Sequence, residues 1–114
     1  MEKKVIKKLP SSREIVNMVY EIASACYGIK GFTRFDSQII GKYEPLSLKD
    51  IKKGIIVRKY ANGLFSVDLY VLLADEVKLT ETLSECQKVV RYKLNKQYNN
   101  QCRHVNVYAM SVVK

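Results

Sequence analysis

The chain has no tryptophan, one histidine, two prolines and five glycines. Its histidine, His104, has no carboxylate near it in sequence. Cys102-x-His104 offers two groups where a zinc site needs three or four. The cysteines, Cys26, Cys86 and Cys102, are odd in number, widely spaced and without a C-x-x-C pair. That excludes a disulfide framework or zinc ribbon as the ready explanation. Three reduced, partly buried thiols acting as small hydrophobes are expected instead. No apolar run approaches the ~20 residues of a membrane helix. The start, Met1 to Lys8, is basic but lacks the ~7–15 apolar residues of a secretory h-region, so a cytoplasmic protein is expected. Phosphate-loop, dinucleotide-binding and nucleophile-elbow motifs are absent.

What is present suits one globular domain. The chain has 114 residues, 47% of them apolar, enough to bury a core. The formal net charge is +9. Residues 1–57 hold 11 basic and 6 acidic side chains, and residues 58–114 hold 9 and 5. The charge is therefore spread over the chain, not gathered in a tail. Such a surface attracts anionic partners over long range.

Residues 1–10 form a basic lead-in, and residues 11–114 form the domain. Ser11 and Glu14 have capping-box spacing. Ile15, Met18, Val19, Ile22, Ala25 and Cys26 then trace one helical stripe, which Gly28 stops. Ile29–Phe35 predicts a strand. Residues 36–53 are irregular, with one helical turn at Ser47–Ile51. Gly54–Tyr60 and Leu64–Leu73 predict a hairpin around Ala61-Asn62-Gly63. A three-residue loop keeps the apolar side chains on one face, which sets Val57 opposite Val67 and Ile55 opposite Leu69. Phe65, Val67, Leu69, Val71 and Leu73 alternate with Ser66, Asp68 and Tyr70. Lys78–Tyr98 predicts the main helix, with Leu79, Leu83, Cys86, Val90, Leu94 and Gln97 on its buried stripe. Residues 103–113 predict a last strand with Val105, Val107 and Ala109 on one face.

The expected fold is α+β in two layers: a small mixed β-sheet with two helices on one face, in the order α-β-β-β-α-β. A right-handed crossover sets the last strand parallel to a neighbour.

Few residues suggest chemistry. Asp75 and Glu76 precede the main helix and are read as capping it. His104 is read as a surface residue on a strand. Gly28-Ile29-Lys30-Gly31 fits the G-x-x-G of KH domains, which clamps a nucleic-acid backbone between two helices. Here the downstream Phe32-Thr33-Arg34-Phe35 reads as extended, so a helix stop is preferred. Tyr60, Tyr70, Tyr92, Tyr98 and Tyr108 are scattered over several elements and are read as rim residues without an RNA-binding cluster. No catalytic, cofactor-binding or metal-binding residue is assigned. The candidate binding patch is Gly28, Lys30, Gly31, Arg34, Lys52 and Lys53, beside the irregular 36–53 segment.

Five pieces in order, Glu14-Ile15-Val16 through Ile22-Ala23 to Gly28, Lys53-Gly54-Ile55-Ile56-Val57, Phe65 to Val71, Cys86-Gln87-Lys88-Val89-Val90 and Val105-Asn106-Val107, resemble the alkaline shock protein family of Gram-positive envelope stress proteins. The resemblance runs from Arg13 to Val113. It departs where members often carry Tyr-Gly after the third strand (here Leu73-Ala74-Asp75) and Thr-Gly before the last (here Asn99-Asn100). The resemblance implies a non-enzymatic, stress-linked scaffold or regulatory binding protein at the cytoplasmic side of the envelope. It needs no cofactor. It takes a protein partner, with homo-oligomers expected and membrane contact peripheral or through an anchor protein. The alternative expectation is a KH-like nucleic-acid-binding module.

Overall fold

The strand Phe65–Ala74 organises the sheet, because its odd-numbered residues are apolar without interruption and need cover. In the computed structural model, which describes residues 10–114, it is the third strand of four. The elements are α1 (Ser12–Ser24), β1 (Ile29–Phe32), α2 (Ser37–Ile40), a 3₁₀ segment (Leu48–Lys53), β2 (Ile55–Lys59), β3 (Phe65–Ala74), α3 (Leu79–Gln97) and β4 (Cys102–Val113). All of the basic lead-in except Pro10 lies outside the described residues.

β1 and β2 both pair antiparallel with β3. β1 takes its Val71–Leu73 end and β2 its Phe65–Leu69 end. β4 runs parallel to β3 along its full length. The sheet is thus mixed, as expected, and the hairpin register sets Ile55 against Leu69 and Val57 against Val67. Ile15, Val19 and Ile22 of α1, Cys86, Val90 and Leu94 of α3, and Phe65, Val67, Leu69, Val71 and Leu73 form one buried cluster. Both long helices therefore cover the same face of the sheet. Burying a side chain of this size contributes about 1.5–3 kcal/mol, so this layer dominates stability.

Local signals hold at α1, where the Ser11 hydroxyl accepts from the Glu14 N–H at 3.1 Å. The buried side of α1 is Ile15, Val16, Val19, Ile22 and Ala23, whereas Ala25 is exposed and Met18 and Cys26 are half-buried. β1 stops at Phe32, not Phe35, and α2 is an element the sequence pattern does not signal. On α3 the buried stripe is Thr82, Cys86, Val90 and Leu94, while Leu79 is 51% exposed and Gln97 is exposed. Thr82 takes the place of a leucine because it packs under the Gly28 turn: a Cβ on Gly28 would fall 3.0 Å from its methyl. Asp75 and Glu76 are exposed in the β3–α3 turn, and α3 begins without a side-chain cap.

Candidate functional site on the helix-free face of the sheet

Strand alternation sends Ser66, Asp68 and Tyr70 to the face that α1 and α3 leave uncovered. The register of β4 sets His104, Asn106 and Tyr108 beside them, and β2 sets Arg58 opposite Ser66. Residues far apart in sequence meet there.

At the centre is a buried carboxylate. Asp68 is 1% exposed. Its Oδ1 accepts from Asn106 Nδ2 at 2.9 Å. Its Oδ2 lies 2.7 Å from Arg58 Nη2, yet the approach falls outside hydrogen-bond alignment, so Oδ2 has a charge partner and no hydrogen bond. A buried charge without a partner is costly, and Arg58 reaches in from solvent to supply one. Beside it the Tyr60 hydroxyl donates to Ser66 Oγ at 3.2 Å, and the Arg103 guanidinium sits 5.9 Å from the Tyr60 ring centroid, a cation–π distance. The Tyr70 and Tyr108 rings stack with centroids 5.0 Å apart, and Phe35 meets Tyr70 edge-on at 6.4 Å. Burial, with the Asp68 charge second, pushes the Tyr70 phenol up, so it stays protonated. The face therefore carries Tyr70, Tyr108 and Phe35 at one end and Tyr60 with Arg58 and Arg103 at the other.

The reading of Tyr60, Tyr70 and Tyr108 as scattered rim residues needs correction: Tyr60 just past β2, Tyr70 of β3 and Tyr108 of β4 share one face. Tyr98 and Tyr92 stay apart, with Tyr98 edge-on to Phe65 of the core and Tyr92 exposed on α3. The period-2 alternation of β3 carries half of this information. The other half, the register of β4, is not in any local pattern.

The six patch residues divide. Gly28 has φ +86° and faces Val77 and Thr82 at the start of α3. Its carbonyl accepts from the Ala74 N–H at 3.0 Å, while Thr33, just before Arg34, donates to the Tyr70 carbonyl at 2.9 Å. Four β3 residues, roughly 13 Å, separate those points. Lys30 is exposed on β1, and Gly31 lies in β1 opposite Leu72. Arg34 holds Asp36 through two hydrogen bonds of 2.9 and 3.0 Å, which keeps the Asp36 carboxyl below its usual range. Lys53 pairs with Asp50 at 3.4 Å, and Lys52 is exposed. The Phe35 N–H donates to the Lys53 carbonyl at 2.9 Å, so Arg34, Lys52 and Lys53 share a neighbourhood that Gly28 does not. A strand, not a second helix, follows Gly28, so the G-x-x-G lacks its KH setting.

The thiols are held in the neutral form. Burial, then the neighbouring Cys26, pushes the Cys86 thiol up to about 12, and burial pushes Cys102 up to about 11. A nucleophilic cysteine needs the opposite shift. Cys102 Sγ approaches the His104 carbonyl at 3.7 Å, not the imidazole ring. Among the described residues no three His, Cys, Asp or Glu side chains converge as metal ligands.

The sequence profile of the alkaline shock protein 23 family, described by a cell envelope-related function, matches residues 1–114. The uncharacterised protein YloU of Bacillus subtilis strain 168 is 28% identical over 102 residues, covering 89% of this chain and 84% of its own. The uncharacterised protein Spy1614 of Streptococcus pyogenes serotype M6 is 28% identical over 99 residues, covering 86% and 80%. Among solved structures, the MamM C-terminal domain superposes with a TM-score of 0.54 at 13% identity, over 89% of this chain and 99% of that one. A substituted form of the same domain gives 0.53 at 17%, with the same coverage. At these identities the likeness is one of fold.

Proposed function

The chain belongs to the alkaline shock protein 23 family, of cell envelope-related function, and from that premise we propose that it is a non-enzymatic scaffold or regulatory binding protein at the cytoplasmic side of the envelope. One observation carries the reading: the sheet face opposite the helices presents the Tyr70, Tyr108 and Phe35 rings at one end and Tyr60 with Arg58 and Arg103 at the other. Aromatic and arginine side chains are the usual anchors of protein interfaces. Arg103, which makes no ion pair among the described residues, and the net charge of +9 suit an acidic partner protein. The raised thiols of Cys86 and Cys102 support a binding role over thiol catalysis.

The test is a photo-crosslinking side chain at position 108, with position 92 on α3 as control, in cells that express the chain. A discrete protein adduct at 108, recovered with the envelope fraction and absent at 92, supports the reading. Adducts to nucleic acid alone, or no adduct, overturn it.

Self-association belongs to the same reading. Among the described residues β4 pairs only with β3, which leaves the outer edge of a twelve-residue strand able to receive a second copy. A single monomeric species at every concentration in sedimentation equilibrium removes that part.

A further inference from the structure

The two most exposed large aliphatic side chains among the described residues are Ile39, at 89%, and Leu48, at 67%. Both lie in the excursion 33–54 that separates β1 from β2. Ile40 and Tyr43 of the same excursion are also exposed. Side chains of this kind project outward from a loose loop by accident, but this excursion is pinned at its base. Leu46 N–H donates to the Phe32 carbonyl at 2.7 Å and Phe35 N–H to the Lys53 carbonyl at 2.9 Å. Thr33 Oγ1 lies 2.9 Å from Ser37 Oγ and donates to the Glu44 carbonyl at 3.0 Å. Gly54 closes the base so tightly that a Cβ there would lie 2.5 Å from the Thr33 carbonyl oxygen. The fold therefore holds α2 and the 3₁₀ segment in place, with Ile51 buried in the core and Ile39, Ile40 and Leu48 left in water. Exposed apolar side chains held on one pinned excursion point to an interaction site.

Charge decides what covers them. Arg34 and Lys53 are taken by Asp36 and Asp50. Lys42, Lys49 and Lys52 make no ion pair among the described residues, and Glu44 is the one carboxylate of the excursion outside those pairs. A second copy would set lysine against lysine. A nucleic acid would find the lysines, but isoleucine and leucine offer no ring to stack on. An anionic bilayer surface satisfies both: lysines lie at the headgroups while Ile39, Ile40 and Leu48 enter the acyl boundary. No helix of the described residues is long and apolar enough to cross a membrane.

We propose that the 33–54 excursion docks this chain directly on an anionic lipid surface through Ile39, Ile40 and Leu48, flanked by Lys42, Lys49 and Lys52. Ile39, Ile40 and Leu48 are distinct from the side chains of the aromatic sheet face, so one chain can engage a membrane surface and a protein partner through different residues.

The chain contains no tryptophan, so Leu48→Trp installs a single fluorescent reporter at an exposed position. With purified Leu48→Trp protein and phosphatidylcholine–phosphatidylglycerol vesicles, emission shifts to the blue. The shift weakens with added salt and is at least tenfold weaker against pure phosphatidylcholine. Ile39→Ser in that background lowers partitioning about tenfold, as expected for one aliphatic side chain withdrawn from the acyl boundary. Circular dichroism is unchanged, since Ile39 is exposed. Tyr92→Trp, on α3, shows no shift. The proposal is overturned by absence of a shift with anionic vesicles, by an equal shift at Tyr92→Trp, or by a concentration-dependent blue shift of Leu48→Trp without lipid, which would assign the surface to a second copy. No partner protein is present in this assay, so its failure leaves the sheet-face reading standing, and the crosslinking test above leaves this one standing.

Discussion

Tyr70 and Tyr108 are register partners across the parallel β3–β4 pair, and their rings stack at 5.0 Å with planes 20° apart. The β4 register shifts between Val71 and Leu72, so the stack lies one pair short of the last regular one, Val71–Ala109. Tyr108→Ala removes one ring of the pair and should cost about 1 kcal/mol. Tyr92→Ala, exposed but unstacked on α3, should stay within about 0.5 kcal/mol of the parent. Urea midpoints at equal slope measure both.

The Asp68 carboxylate makes Arg58 structural as well as exposed. Arg58→Met leaves a buried charge with only the Asn106 amide on it and should cost about 1–3 kcal/mol, less than a fully buried pair because the guanidinium side is solvated. Adding Asp68→Asn removes the charge and should recover part of the loss, so the double variant is more stable than the sum of the singles. Strict additivity in a denaturation cycle contradicts the pairing.

These two relationships show where sequence reasoning reaches and where it stops. The β2–β3 register is legible because a one-residue slip would turn Ile55 and Val57 away from Leu69 and Val67, and only one register keeps both hydrophobic. The parallel β4 is legible because a strand–helix–strand step has one handedness. The aromatic face is not. Tyr60, Tyr70 and Tyr108 belong to three chain regions, and their meeting depends on the β3–β4 offset, which two irregularities shift. Asp68 reads as a solvent-facing strand residue, because nothing local reveals that Arg58 and Asn106 close over it. The patch around Arg34, Lys52 and Lys53 is half legible: the cations are obvious, but the pairing of Arg34 with Asp36 and of Lys53 with Asp50 depends on how the excursion folds back. Ile39 and Leu48 sit in a segment with no period, so exposure could not be assigned to either.

The thiols give stability a pH dependence whose sign follows from burial. Cys86 moves from 9.0 to about 12 and Cys102 from 9.0 to about 11, both chiefly by desolvation. The folded state therefore holds these protons more tightly than the unfolded chain does. Their contribution is complete below about pH 9 and is lost as pH rises from there towards 11 and 12. Burial also raises Tyr70 and Tyr98 above 10.0, which acts in the same direction. The urea midpoint should fall steeply above about pH 9. Cys86→Ala should lower the midpoint at neutral pH and flatten that fall. An unchanged slope in Cys86→Ala would remove the thiol from the explanation.

Two glycines with positive φ separate a packing role from a turn role, and so decide what Gly28 is for. A Cβ added at Gly63 (φ +81°) would meet nothing within 4 Å, whereas at Gly28 (φ +86°) it would meet Val77 Cγ1 at 2.9 Å and the Thr82 methyl at 3.0 Å. Gly63→Ala should therefore cost only the left-handed conformation, about 1 kcal/mol. Gly28→Ala adds a clash between the α1–β1 turn and the first turn of α3, and should cost about 2–4 kcal/mol in total. If Gly28 served instead to let a ligand backbone approach, Gly28→Ala would cost no more than Gly63→Ala, and Lys30→Glu would abolish binding to single-stranded RNA with a steep salt dependence. Thermal denaturation of the two alanine variants side by side, with RNA titrations of Lys30→Glu, separates the outcomes. The expected result is a Gly28→Ala midpoint well below that of Gly63→Ala, because Thr82 is buried against the turn that Gly28 makes.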